Sequence, residues 1–171
     1  MQKGSFTPET PRYETDSVVR KINSLAAMFR RNSWPVAFVQ HNGSASGEFI
    51  PNTPDWELLD DLQVHEQDMM VEKFANDVFY NTSFESKLKE LNVNELVITG
   101  CATDFCVEST IQSALVKDFN ILVVEDGHTT ANRPFMEAGQ VINHYNWVWK
   151  NMTPTKGKID VRPYESVMTL D

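Results

Sequence analysis

Cysteine is scarce in this sequence: Cys101 and Cys106 are the two thiols in 171 residues. Two cysteines do not make the disulfide framework of a small secreted domain, so cohesion has to come from an apolar core. Positive charge is also short, with 15 Lys and Arg against 24 Asp and Glu and a net charge of -9. Phosphate-backbone binding needs clustered Lys and Arg, so nucleic acid is not an expected partner. No apolar run approaches the roughly 18 residues of a membrane-spanning helix, and no membrane role is expected. The opening stretch MQKGSFTPETPRY has no hydrophobic segment of the secretory kind. Internal repeats and low-complexity tracts are missing too. What remains is an ordinary globular composition with 41% hydrophobic residues, enough for a core of its own. The expectation is one domain over residues 1–171, working in the reducing cytoplasm.

The periodicities supply the elements. Val18, Ile22, Leu25, Ala26 and Phe29 fall at helical spacing and predict a helix over 17 to about 32, with Asp16 as its cap. VAFVQ, MMVEK, LVITG and ILVVED read as strands. Helices are expected over 83–91, from 104 to about 117, and from Pro134 to about 152. The last of these has Phe135, Ile142, Tyr145 and Trp149 near one face. KIDVRPYESV reads as a short edge strand. Residues 41–68 are irregular, with a helical turn or two expected over 56–62, where the acidic ELLDDL run reads as a solvated face. Long connections of this kind are usually functional. Strands alternating with helices predict an α/β fold: a three-layer, doubly wound, mainly parallel sheet with helices on both faces. Ligands in such sheets bind beyond the carboxyl ends of the strands.

LVITG followed by CATDFC is one such end. With Thr103 as a helix cap, Cys106 falls in the first helical turn, where free N–H groups and the macrodipole favour an anion. A thiol so placed ionises readily and becomes a nucleophile, and the same N–H groups can receive an oxyanion. Cys101 precedes the helix and gains none of this. Spacing alone leaves the other reading open, since a free cysteine is often just a small buried apolar residue. The C-x4-C spacing fits neither a C-x-x-C redox pair nor a zinc site.

The stretch LVITGCATDFCVESTIQSALVKDFNILVVEDGHTT resembles the signature region of the isochorismatase-like cysteine hydrolases, which include the nicotinamidases. VAFVQH, VEKFANDVFYNTSFESKLKEL and NHYNWVWKN extend the likeness over most of the chain. The resemblance implies a cysteine hydrolase acting on a C–N bond of a small amide through a thioester, with no organic cofactor. It implies Cys106 as nucleophile and Lys73 as the ammonium that steadies the thiolate. It also implies a cis bond between Cys101 and Ala102, and an oxyanion hole from the N–H groups of Ala102 and Cys106. A homo-oligomer is expected on the same ground. Family members that bind metal carry paired ligands where this chain has only His41, so no metal is expected.

The family's triad also has an aspartate at the end of a first apolar strand. Here Met1 and Gln2 match only the residues after it, so that strand and its Asp are missing. A truncated form of a longer protein is the expected reason. Asp104 and Asp77 are substitute candidates by proximity alone. Phe6, His41, Trp56, Phe79 and Phe105 are the candidate substrate-pocket residues. His128 reads as structural, and His65 and His144 carry no case. Two alternatives stand beside the amidase: a non-catalytic member that binds or assembles, and an isochorismatase-type vinyl ether hydrolase. The second should want extra cations near the pocket, and none can be located from the sequence.

Overall fold

The computed structural model describes residues 1–170. Helix α1 (Thr15–Arg31) leads into strand β1 (Ala37–His41), and β2 (Met69–Lys73) follows the long loop. Then come α2 (Phe84–Glu90), β3 (Glu95–Cys101), a π-helical turn (Thr103–Val107) and α3 (Glu108–Val116). β4 (Asn120–Thr129), α4 (Ala138–Lys150), β5 (Ile159–Arg162) and α5 (Tyr164–Val167) complete the chain.

Among the described residues all three strand pairings are parallel, and helices cover both faces. Alternation along β4 shows why. Ile121 and Val123 join the cluster of Leu88 from α2, Ile111 from α3 and Trp149 from α4. Leu122 and Val124 face the other way, against Leu25 and Met28 of α1 and Val167 of α5. A period of two in a β-branched run therefore builds two cores at once. The fold is α/β and doubly wound. The sheet is in two parts, however: β1 pairs with β2, and β4 lies between β3 and β5. β1 and β3 face each other across a gap. Ala37 and Val39 on one side and Leu96 and Ile98 on the other pack on the same apolar cluster, so this cluster bridges the two parts.

α1 is held to the entrance of β2 by a buried pair. Arg30 Nη2 lies 2.6 Å from Asp68 Oδ2, with the two side chains 8% and 1% exposed. Burial alone would raise the Asp68 pKa; the Arg30 hydrogen bonds, the His65 N–H bond and the nearby positive charge together outweigh it and hold the carboxyl below its usual range.

Several boundaries differ from expectation for local reasons. α1 starts at Thr15, and no side chain caps it. α4 starts at Ala138 and not at Pro134, because Glu137 and Gln140 form a reciprocal capping box there. Phe135 thus lies outside α4 and is 98% exposed, while Ile142 and Trp149 are buried as the stripe predicts. Residues 56–62 form turns and no helix. The 104–117 helix is divided by the π-helical turn, and Thr103 makes no cap.

Candidate active site

The site forms where β3 ends. Gly100 has φ +124°, a conformation that only glycine adopts without strain. The next peptide bond, Cys101–Ala102, is cis. The chain then enters the π-helical turn that carries Cys106. Thr103, expected as a cap, is fully buried and does other work: its Oγ1 lies 2.8 Å from His128 Nδ1. His128 Nε2 lies 3.0 Å from Asn146 Oδ1, and Asn146 Nδ2 donates to the Glu125 carbonyl at 2.9 Å. Asn146 therefore accepts from Nε2–H, and Nδ1 accepts from the Thr103 hydroxyl. Burial pushes the His128 pKa down to about 4, against the upward pull of Asn146. His128 is a neutral post beneath the turn.

Cys106 is half-buried, and its Sγ reaches Asn76 Oδ1 at 3.6 Å. Lys73 ends β2 opposite His41 of β1. It is 4% exposed, and its ammonium donates to the carbonyls of Ala75 at 3.0 Å and Asn76 at 2.7 Å. Asn76 thus touches the sulfur with its side chain and the ammonium with its backbone. Among the described residues no carboxylate lies within 4.0 Å of Lys73 Nζ. A buried ammonium held only by neutral carbonyls favours an anion nearby. Burial pushes the pKa of the Cys101 thiol up.

A cavity of about 1290 Å³ opens on these groups, with Lys73, Asn76, Cys101, Ala102 and Cys106 in its walls. Of the expected pocket residues, His41 and Phe105 line it. Phe6 and Trp56 do not. Phe79 is a core residue, 7% exposed, stacked on Phe119 with ring centroids 5.9 Å apart. The His41 Nδ1 is buried without a hydrogen-bond partner. Burial, then the Lys73 charge, lowers the His41 pKa, so the ring is neutral at pH 7. Asp104 is committed elsewhere: Arg133 Nε donates to Oδ2 at 2.6 Å, and the Thr130 hydroxyl to Oδ1 at 2.7 Å. Burial raises its pKa, but these bonds prevail and lower it. Asp77 Oδ1 accepts from the Phe79 N–H at 2.8 Å, closing a turn. Neither substitute carboxylate is paired with the sulfur or with Lys73. Sequence reading missed Asn76, Phe49, Arg12 and Arg133, all in the cavity wall. For Asn76 the signal was its place three residues after Lys73. The two arginines gave none, because tertiary folding alone brings them there.

The sequence model of the isochorismatase domain matches residues 1–146. The uncharacterized isochorismatase family protein YddQ of Bacillus subtilis (strain 168) is 33% identical over 117 residues, which are 67% of this chain and 65% of YddQ. Nicotinamidase 3 of Arabidopsis thaliana is 31% identical over 135 residues, covering 71% of this chain and 68% of that protein. A crystal structure of an isochorismatase family protein superposes with a TM-score of 0.84 at 28% identity, over 91% of this chain and 92% of its own. The chain belongs to the isochorismatase family. It spans less than two thirds of the length of YddQ.

Proposed function

We propose that the protein hydrolyses a small amide or a related C–N bond, with Cys106 as nucleophile. The observation that carries this reading is the meeting of three things at one cavity wall: the Cys106 sulfur, the buried Lys73 ammonium, and Asn76 touching both. Family membership and the amide chemistry in the name of nicotinamidase 3 support it.

The steps follow from that arrangement. The Cys106 thiolate adds to the substrate carbonyl, forming a C–S bond and an oxyanion that the Ala102 and Cys106 N–H groups receive. Collapse breaks the C–N bond, and the amine leaves with a proton. Water then adds to the thioester, releasing the carboxylic acid and restoring the thiol. Lys73 balances the negative charge throughout. The reading uses no organic cofactor and takes a small-molecule substrate; assembly as a homo-oligomer belongs to it.

The proton for the leaving nitrogen requires an acid–base group, and no described carboxylate is paired with Lys73. That observation favours a second reading, a member of the family that binds without turnover. Iodoacetamide at neutral pH separates the two. The hydrolase reading expects Cys106 to alkylate at least tenfold faster than Cys101, with release of amine from nicotinamide-sized amides that Cys106→Ser abolishes. Equal, slow labelling with no amine release leaves the binding protein.

A further inference from the structure

Arg12 and Arg133 both reach the cavity wall, and they differ in what holds them. The Arg133 charge is already answered. Its Nε donates to Asp104 Oδ2 at 2.6 Å, and its Nη2 donates to Asp104 Oδ1 at 2.9 Å and to the Thr130 hydroxyl at 2.6 Å. The same guanidinium lies over the Phe105 ring. A fork matched to a carboxylate in this way is a closed ion pair. Arg12 is anchored differently: its Nε donates to the Ser5 carbonyl at 2.7 Å, a neutral acceptor. Among the described residues no carboxylate lies within 4.0 Å of its guanidinium, although Glu48, Asp55 and Glu95 also reach the cavity wall.

The backbone brings Arg12 to the reacting end of the sheet. Arg12 pairs with Ala131 in an isolated antiparallel bridge, and the Tyr13 N–H donates to the Thr130 carbonyl at 2.9 Å. Thr129 stands opposite Cys101 in the ladder of β3 and β4, and its hydroxyl donates to the Tyr13 carbonyl. Thr129 and Thr130 are fully buried, so this tie is shielded from water. Arg12 is thereby held, through the end of β4, beside the strand end that leads to Cys106. Its charge is felt there: burial raises the Cys101 pKa, and Arg12 is the strongest of the charges that oppose the rise.

We propose that Arg12 receives a carboxylate of the substrate, so that the protein selects small amides that also carry a negative charge. The proposal rests on the hydrolase reading above and narrows it. With Nε anchored on Ser5, the two Nη groups of Arg12 form the free side of a planar fork, and such a fork takes a carboxylate bidentately. In a pocket with few polar groups, one placed charge sets the orientation of a small ligand. The carboxylate at Arg12 then leaves the amide carbonyl to meet Cys106. For the monoamide of a dicarboxylic acid the balance is simple. One water is consumed, the C–N bond is replaced by a C–O bond, and ammonia leaves with the proton, through the thioester steps already given.

The test compares the monoamides of malonic, succinic, glutaric and adipic acid with the diamides of the same length. For the best monoamide, kcat/KM for ammonia release should exceed that of its diamide by about tenfold or more. In Cys106→Ala, which cannot form the thioester, the same monoamide should bind about tenfold or more tightly than the diamide in titration calorimetry. Arg12→Gln should bring both ratios to within about twofold of one, and Arg12→Lys, which keeps the charge without the fork, should retain only part of them. The proposal is overturned if wild type prefers no monoamide, or if the preference survives Arg12→Gln, which would place the anion on Lys73. An undiminished ratio in Arg12→Lys overturns it as well, whether or not Arg12→Gln folds. Ammonia release without monoamide preference would leave the hydrolase reading standing and remove the Arg12 assignment. Monoamide preference in binding, with no ammonia released from any amide, would refute the hydrolase reading alone.

Discussion

Replacing His128 by Gln should remove a specific part of the pH dependence of stability. In the folded protein the ring is neutral, with a pKa of about 4 against an ordinary 6.5. Above pH 6.5 neither folded nor unfolded chains protonate it, and it contributes no pH dependence. Between 6.5 and 4 the unfolded chain binds a proton that the folded chain refuses, so stability falls as pH falls. Each pH unit in that window is worth about 1.4 kcal/mol, so the loss approaches about 3 kcal/mol near pH 4. Below that the folded state takes the proton as well and the loss levels off. The structural reason is local: a proton on Nδ1 would meet the Thr103 hydroxyl that now donates to it. The assay is urea unfolding of wild type and His128→Gln at intervals from pH 7.5 to 4.5. Carboxylates titrate in both proteins, so the difference between the curves isolates the histidine. Wild type should lose its advantage over the variant steadily as the solution is acidified. Parallel curves would sink the argument that burial keeps this ring neutral.

Lys73→Met keeps the bulk of a buried side chain and removes its charge; Cys106 alkylation near pH 7 should slow by about tenfold or more, and an unchanged rate would detach the ammonium from the sulfur. Ile111, fully buried between α3 and the sheet, should cost about 2–5 kcal/mol as Ile111→Ala in denaturant unfolding; a cost under about 1 kcal/mol would mean that the helix is not anchored there. Arg30→Ala leaves Asp68 buried without its cation, a loss of about 3–5 kcal/mol by the same measurement, and a neutral result would show that the carboxyl finds water or a proton instead.

The strands were legible because β-branched runs such as ILVV carry their own period and end at turn formers. α1 was legible because its apolar stripe repeats over about three turns. Its start was not, since Asp16 suggested a cap that the chain does not use. The start of α4 followed Glu137 and Gln140, a weaker signal than Pro134 but one with two hydrogen bonds behind it. At the proposed site, the chemistry of a helix start pointed to Cys106, and the family likeness pointed to Cys106 and Lys73. His41 could be placed because it sits where β1 ends; Phe105 was one of the aromatics offered for an apolar pocket and is the one of them that lines the cavity. Phe79 misled, because one aromatic looks like another until its neighbours Phe84 and Phe119 are known. Arg133 could not be found at all: its ties to Asp104 and to the Phe105 ring, 5.0 Å away, span nearly thirty positions of chain.

The pairing of β3 with β4 changes register between Ile98 and Gly100, which stand opposite Val123 and His128. The extra residues of β4 fold out there, with Gly127 close against Val124. This irregularity lifts the imidazole under Thr103, because an even ladder would bring Glu125 opposite Gly100. Lengthening or shortening that loop by one residue would swap the faces of everything after it. The sulfur's footing is thus set by the length of a neighbouring strand, so a single-codon deletion there would be felt at Cys106 although no residue of the site itself had changed.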